Sequence, residues 1–234
     1  MGYANIWLMG KKIVKVNLAS GPASTNSWIN FDSGLLPLLS KFPALRRLLL
    51  RLGLLSEFYN EDWPKIRLVD ISRELPLSDN SVDFVYCSQA LEHFEYWQTE
   101  NILGEMYRIL KPGGIVRVSV PDIDKMVQLY LEENKDNPSD AARNLNLLWW
   151  GHEKDVKPEN FLIKLSHHFI RPHQWQYNKA SMEELLKKVD FRKITLRSFR
   201  RGRVPGLKGV ELEIHRDHSL FLEAQKSNVQ QKQQ

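Results

Sequence analysis

Cysteine is nearly absent from this chain, since Cys87 is the only one among 234 residues. A single thiol excludes an internal disulfide and a cysteine-rich zinc site, and it is typical of a protein from a reducing compartment. The sequence also lacks an apolar run of the roughly 20 residues that a membrane span needs. The charges at the start follow the apolar patch, which is the reverse of a secretory signal, and Ile6 breaks the myristoylation pattern that opens at Gly2. We therefore expect a cytoplasmic protein.

Basic and acidic residues are both common in this chain, and the net charge of +5 is modest. Basic residues concentrate in one early segment, residues 41–51, and one late segment, residues 197–208. Such segments could contact phosphates or anionic lipid, or could form an ordinary solvated surface. No sequence signature of a nucleic-acid-binding module accompanies them, so we expect no nucleic-acid partner. The oligomeric state cannot be read from these features.

Short apolar runs separated by polar turns predict the strands of a sheet. They are residues 12–18, 28–31, 66–69, 84–87, 115–120, 191–199, 210–214 and 219–224. Helical periodicity predicts helices over residues 43–55, 98–110 and 180–188, the last with a capping box from Ser181 to Glu184. Another helix is expected after Asp122, and an irregular region rich in tryptophan and histidine from residue 145 to 178. This alternation favours an α/β fold.

Two features of the first half leave alternatives open. The gap between the first two strands is so short that it suggests a hairpin, although a shortened helix over residues 22–27 would also fit. The helix at residues 43–55 is amphipathic, with Arg46, Arg47 and Arg51 on or beside its polar side. It could be a core helix, a lid, or a helix on a membrane surface, and peripheral membrane contact would extend over residues 35–55.

Carboxylates follow two of the predicted strands. Asp32 and Asp70 come at strand ends, where an open α/β sheet places its ligand crevice. A carboxylate there can accept hydrogen bonds from a ribose hydroxyl or an adenine amine, or it can be a simple loop cap. The turn at Ser20 and Gly21 would allow close approach of backbone to a ligand.

Taken together, these segments resemble a known family. The runs VNLASGP, WINFD, VDI, LPLSDNSVDFVYCSQALEH and MYRILKPGGIVRVSVPD, between residues 16 and 122, are similar to class I S-adenosylmethionine-dependent methyltransferases. The resemblance is closest to a small bacterial, methyltransferase type 11-like subgroup with an LNLGSG…GWINVD first motif, which often accompanies surface-polysaccharide functions. It is weaker over residues 165–224.

The resemblance implies a Rossmann-like sheet, mostly parallel with an antiparallel C-terminal strand and helices on both faces. It implies one methyltransferase domain over residues 1–226, with a lid or amphipathic insertion at 35–60 and a substrate-side insertion at 134–178. Residues 227–234 are expected to be a disordered tail.

The resemblance also implies S-adenosylmethionine as cofactor and assigns residues to it. Residues 17–21, among them Asn17, Ala19, Ser20 and Gly21, would contact its methionine part. Asp32 would bind the ribose, and Asp70 with Ile71 the adenine. The methyl-donor end would be bordered by Ser88, Gln89 and Leu91. Two departures bear on affinity: Ala19 replaces a glycine, and residue 22 is a proline.

Methyl transfer to a hydroxyl needs a base, and the sequence offers Glu92 and His93 of the LEH motif and His168 as candidates. His215 and His218 are expected at the surface. The spacing of Asp155, His167, His168 and His173 matches no zinc pattern, so we expect no metal. Trp149, Trp150 and Trp175 suit packing or a sugar platform.

We therefore expect a methyltransferase acting on oxygen of a small-molecule or saccharide acceptor. A cofactor-impaired relative that serves as a binding or scaffold protein is the alternative. A nicotinamide-dependent oxidoreductase is disfavoured because no GxGxxG follows the first strand.

Overall fold

The computed structural model describes residues 13–21, 25–33, 35–39, 41–55, 65–151 and 172–228. Within these residues seven strands form one sheet with the order β3-β2-β1-β4-β5-β7-β6. The strands are β1 Lys15–Leu18, β2 Ile29–Asp32, β3 Ile66–Leu68, β4 Val82–Ser88, β5 Leu110–Pro121, β6 Phe191–Leu196 and β7 Ser219–Lys226. Pro22, Asp155, His167, His168 and the tail beyond residue 228 lie outside the described residues.

One strand runs against the others. β7 pairs antiparallel with both β5 and β6, whereas β1 to β5 pair in parallel. The predicted fold class, a mostly parallel Rossmann-like sheet with an antiparallel C-terminal strand, is confirmed. The predicted strand at residues 210–214 is wrong, because this stretch holds a 3-10 turn, Glu213–His215, and leaves the sheet.

The short connection between β1 and β2 is not a hairpin. Val16 lies beside Ile29 and Leu18 beside Phe31 in parallel register. Each strand has four residues and spans about 13 Å. The intervening residues 19–28 are therefore long enough to return the chain to the start of β2.

Six helices are described: α1 Leu35–Leu39, α2 Pro43–Arg51, α3 Tyr96–Ile109, α4 Ile123–Glu133, α5 Pro138–Trp150 and α6 Lys179–Lys188. α5 corrects the expectation of irregular structure at residues 145–150. The cap of α6 is also corrected: Asn178 and Ser181 form the capping box, one turn earlier than Ser181 and Glu184. None of the described helices, the longest of which has 14 residues, is long and apolar enough to cross a membrane.

Alternation along the strands divides the sheet into two faces. On one face, Val85 of β4 and Val118 of β5 pack in the main core, which is covered by apolar side chains of α3 and α6. Each large aliphatic side chain buried there contributes about 1.5–3 kcal/mol. On the other face, Trp28 and Tyr86 pack against Val204, Leu207 and Val210. Residues 197–218 thus cover the centre of the second face.

The side chains of α2 are arranged differently from the prediction. Arg46, expected on or beside the polar side, is buried, whereas Leu45, Leu48 and Leu52 are 45–60% exposed. Because these leucines face outward, the interpretation of α2 as a core helix is wrong for the described residues.

Candidate functional site

The carboxyl ends of the parallel strands β1, β2 and β4 meet at one edge of the sheet, where open α/β folds bind ligands. The chain leaves β1 through a turn in which Ala19 and Gly21 both have φ of 51°. The amide of Ser20 donates to the carbonyl of Phe31 at the end of β2, at 3.1 Å. A Cβ added at Gly21 would meet no heavy atom within 4 Å, so open space lies beside this turn.

Asp32 holds this turn in place. Its Oδ2 accepts a hydrogen bond from the amide of Gly21 at 2.5 Å, and its Oδ1 one from the amide of Ser33 at 2.6 Å. Burial raises the pKa of the Asp32 carboxyl, although both hydrogen bonds favour the charged form. The carboxylate therefore links the ends of β1 and β2 across the candidate ligand edge.

A cavity of about 170 Å³ opens at this edge. It is lined by Asn17, Ala19, Ser20, Gly21, Tyr86, Ser88, Gln89, Val210, Leu212 and His215. This volume is smaller than the roughly 300–1,000 Å³ typical of drug-sized ligand sites. The described lining can therefore enclose part of a nucleoside-sized ligand.

Six of the residues predicted to bind cofactor line this cavity: Asn17, Ala19, Ser20, Gly21, Ser88 and Gln89. Asp32 lies next to the lining through its bond to Gly21. Leu91 and Ile71 are buried in the main core instead. Asp70 is exposed and caps its own loop, because its Oδ1 accepts from the amide and the hydroxyl of Ser72. The structure thus brings one part of the predicted set together and places another part elsewhere.

Gln89 lies between the cavity and the next strands of the sheet. Its φ is 48°, and its amide donates to the carbonyl of Ser119 at 2.9 Å. Its side-chain Nε2 donates to Oγ of Ser219 at 3.1 Å. Ser219 belongs to a second cavity, of about 610 Å³, at the same edge beside the ends of β5, β6 and β7. Gln89 therefore connects the two cavities.

Cationic side chains predominate among the charged groups of this larger cavity. Lys125, Lys179, Arg197 and Arg216 line it, together with the carboxylate of Asp122. An anionic group on a bound molecule would be attracted by this lining.

Four lining residues of the smaller cavity were missed from the sequence: Tyr86, Val210, Leu212 and His215. Tyr86 could have been found, because it alternates with the core residues Val85 and Cys87 and so must face the other side of the sheet. His215 was expected at the surface, but it is half-buried, and burial lowers its pKa to about 4. Its position depends on how residues 197–218 fold over the sheet.

A buried charge cluster holds that segment. The guanidinium of Arg117 on β5 is fully buried and donates to Glu211 at 2.5 Å, with Glu223 at 3.5 Å. It also donates to the carbonyls of Ser198 and Arg201, each at 3.0 Å. Arg117 therefore ties the segment that carries Val210, Leu212 and His215 to the centre of the sheet.

The predicted catalytic pair, Glu92 and His93, lies in the 3-10 turn Leu91–His93 after β4. The Glu92 side chain is fully buried, and burial raises its pKa to about 8. The structure places His173 beside both residues, with its Nε2 4.0 Å from Glu92 Oε1 and its ring centroid 4.9 Å from that of His93. His168, the third predicted base, lies outside the described residues.

Comparison with known proteins agrees with this geometry. A family model described as a methyltransferase domain matches residues 52–118. The chain is 34% identical over 85 residues to an uncharacterised methyltransferase-like protein of Schizosaccharomyces pombe, which covers 33% of this chain and 32% of that protein. It is 45% identical over 49 residues to a probable S-adenosylmethionine-dependent methyltransferase of Mycolicibacterium smegmatis, covering 21% and 18% of the two chains. The chain thus spans a third or less of the length of these relatives.

A solved structure shares the fold over a longer stretch. A chain from the complex between the Haloferax volcanii Trm112 methyltransferase activator and a methyltransferase superimposes with a TM-score of 0.50 at 14% identity. The alignment covers 93% of this chain and 83% of that one. A methyltransferase-domain sequence on residues 52–118 and a cavity at the carboxyl edge of the sheet are what this chain has in common with class I S-adenosylmethionine-dependent methyltransferases, and both support its similarity to them.

Proposed function

We propose that this protein transfers a methyl group from S-adenosylmethionine to an oxygen atom of a small-molecule or saccharide acceptor. The observation that supports the proposal most directly is the cavity at the ends of β1 and β4, which gathers six of the residues implied by the family resemblance. When bound, S-adenosylmethionine supplies a methyl group carried by a positively charged sulfur.

The residues at this edge are of the types that such a ligand needs. The open space beside Gly21 admits the methionine part, next to Asn17. The Asp32 carboxylate accepts hydrogen bonds from the ribose hydroxyls while it keeps the turn in place. Asp70 and Ile71, which lie outside the described cavity lining, are proposed on the adenine side. Ser88 and Gln89 on the lining are proposed at the methyl-donor end, with Leu91 beside them in the main core.

We place the acceptor in the larger cavity, which Gln89 connects to the smaller one through Ser219. Four cationic side chains on its lining favour an acceptor with phosphate or carboxylate groups. Trp150 and Trp175 do not line this cavity, but both are partly exposed and could stack on a sugar ring that extends beyond it. Glu92, His93 and His168 are proposed to accept the proton of the attacking hydroxyl.

Calorimetry with S-adenosylhomocysteine tests the cofactor assignment. We expect measurable binding by the wild-type chain and loss of binding in Asp32→Ala, because the variant removes both the ribose acceptor and the bond to Gly21. Asp136→Ala, which truncates an exposed acid after α4, is the matched control and should bind normally. Absence of wild-type binding at millimolar ligand would refute the proposal.

One observation favours the alternative, a cofactor-impaired relative that acts as a binding or scaffold protein. Ala19, where the family has glycine, adopts a left-handed backbone conformation at the cavity wall. This alternative predicts a folded chain without turnover, in which Ala19→Gly gains cofactor affinity. Robust methylation by the wild-type protein would eliminate it.

The segment roles implied by the resemblance are part of the proposal. Residues 35–60 are proposed as a lid and residues 134–178 as a substrate-side insertion in one domain over residues 1–226. The outward-facing leucines of α2, beside Arg47 and Arg51, also support peripheral contact with an anionic membrane. The double variant Leu45→Ser/Leu48→Ser should therefore co-sediment with phosphatidylglycerol vesicles less than the wild type does. If the wild type does not bind the vesicles, the proposed membrane contact is refuted.

A further inference from the structure

Glu92 is an unusual carboxylate. It is 0% exposed, and neither of its oxygens has a hydrogen-bond partner among the residues that the structure describes. Buried polar side-chain atoms in folded proteins nearly always have a partner, and an uncompensated buried carboxylate is strongly unfavourable. Among the described residues, the buried Glu92 carboxyl therefore has an unfilled place for a hydrogen-bond donor or a cation.

Two imidazoles share this environment. One ligand atom from each of Glu92, His93 and His173 can be chosen so that all three lie within 4.8 Å of one another. Nε2 of His173 is 4.0 Å from Oε1 of Glu92, and the two histidine rings meet edge to face. The three donors therefore surround one small volume, although His173 is 81 residues away from Glu92 along the chain.

The backbone holds this arrangement in place. The carbonyl of Glu92 accepts hydrogen bonds from the amides of Gln174 at 2.6 Å and Trp175 at 3.2 Å. The carbonyl of Trp150 accepts another from the amide of His173 at 3.2 Å. Gly151 is required beside the ring, because a Cβ at that position would lie 2.2 Å from Nε2 of His173. The site is thus built from three separate segments of the chain.

We propose that Glu92, His93 and His173 bind a divalent transition-metal ion such as zinc. Two imidazoles and one carboxylate are a common set of protein ligands for zinc, and soft thiolates are not required. Tetrahedral coordination at 2.0–2.2 Å places ligand atoms about 3.4 Å apart, so the 4.0 Å gap between Glu92 and His173 must close by about 0.6 Å. Donor atoms that lie up to 4.8 Å apart must approach by up to about 1.4 Å. The proposal replaces the sequence-based expectation that the chain holds no metal.

The neighbour of His173 bears on the tautomer of its ring. Nε2 of Gln176 lies 3.2 Å from Nδ1 of His173 and also donates to the carbonyl of Trp149 at 2.5 Å. Coordination through Nε2 of His173 places a proton on Nδ1, so Gln176 must turn away from this nitrogen when the metal binds.

Three protein ligands leave at least one coordination position for another molecule. The turn that carries Glu92 follows Gln89, which lies between the two cavities of the edge. Glu92, His93 and His173 line neither cavity, so an acceptor would have to extend past Gln89 to reach the metal, where its oxygen would be more acidic. With Glu92 and His93 as ligands, His168 is the remaining candidate base. This role in the reaction rests on the proposed function, whereas metal binding itself does not.

Cobalt titration of untagged, EDTA-treated protein tests the proposal. We expect one Co²⁺ per chain with visible d–d absorption, displaced by one equivalent of Zn²⁺. Glu92→Gln and His173→Gln should each weaken cobalt binding at least about 10-fold. His218→Gln is the matched control, because His215 and His218 form another histidine pair, with ring centroids 5.7 Å apart. It should bind as the wild type does.

Far-UV circular dichroism checks that each variant is folded. If Glu92→Gln does not fold, the result for His173→Gln decides the outcome. Absence of cobalt absorption up to millimolar metal would overturn the proposal. So would wild-type affinity in a folded Glu92→Gln or His173→Gln variant, or loss of binding in His218→Gln. Calorimetry with S-adenosylhomocysteine on the same metal-free samples separates failure of the metal site from failure of the cofactor site.

Discussion

Replacement of Arg117 by methionine tests how the second face of the sheet is held. The guanidinium is fully buried between Glu211 and Glu223, and methionine would fill much of its volume without its charge. Removing one partner of a buried ion pair destabilises a protein by about 3–5 kcal/mol, because the remaining charge is left uncompensated.

The surroundings of the two glutamates refine this magnitude. Glu223 keeps the amide of Arg203, at 2.9 Å, and Nε of Arg197, at 3.2 Å. Glu211 keeps only the amide of Arg200 for its side chain among the described hydrogen bonds. Of the two glutamates, Glu211 is therefore the one left largely uncompensated when Arg117 is replaced. We expect the destabilisation to lie at the lower end of the 3–5 kcal/mol range, at about 3 kcal/mol.

Urea unfolding at pH 7.5, followed by tryptophan fluorescence and far-UV circular dichroism, measures this loss. With a slope near 3 kcal/mol/M, the midpoint should fall by about 1 M. The double variant Arg117→Met/Glu211→Gln should recover part of the stability, because it removes the uncompensated charge. Arg192→Met, which breaks an exposed pair with Asp190, is the control and should change stability by less than about 0.5 kcal/mol.

The same replacement should weaken binding of S-adenosylhomocysteine. Arg117 anchors residues 197–218, and that segment supplies Val210, Leu212 and His215 to the cavity wall. A loss of stability below 1 kcal/mol, or an Arg117→Met protein that binds ligand as tightly as the wild type, would refute this account of how the segment is held.

Three further predictions concern single positions. Ala19→Gly should leave the free energy of unfolding within about 1 kcal/mol of the wild type, because relief of the left-handed conformation offsets the greater entropy of unfolded glycine. Calorimetry should show that this variant binds the cofactor more tightly. Weaker binding would contradict the steric argument. Burial lowers the pKa of His215 from 6.5 to about 4, so the unfolded chain takes up a proton first as the pH falls. The contribution of His215 to stability should therefore be fully present above pH 6.5 and fall by about 1–2 kcal/mol towards pH 4, after allowance for partial exposure. His215→Asn should flatten this part of the profile of urea midpoint against pH. An unchanged slope in the variant would contradict the prediction. Gly151→Ala should destabilise the fold by about 1–3 kcal/mol, because φ of residue 151 is 73° and the added methyl group meets the ring of His173. A melting temperature equal to that of the wild type would show that this contact is absent.

Local sequence patterns predicted most of the strands, whereas the mostly parallel arrangement was implied by the family resemblance. Strand β4, residues 82–88, could be located because apolar residues follow a turn-rich loop, and α3 because its apolar residues recur every three or four positions. The turn at residues 19–21 and Asp32 could be assigned to the ligand edge for the same reason, since strand ends are marked by residues close in sequence. Where local signals were weak, the prediction failed, as at α5 and at residues 210–214.

The remaining features depend on contacts between distant parts of the chain. The outward orientation of the α2 leucines and the burial of Arg46 cannot follow from helical periodicity, which defines two faces without saying which one is covered. His173 reaches Glu92 only because two backbone hydrogen bonds join segments far apart in sequence. His215 reaches the cavity only because Arg117 and its glutamates fold residues 197–218 over the sheet. The sequence by itself therefore determined the sheet and its ligand edge, through preferences that act over a few residues. Tertiary structure alone decided which side chains close the cavity and which three meet at the proposed metal site, because those positions depend on long-range packing.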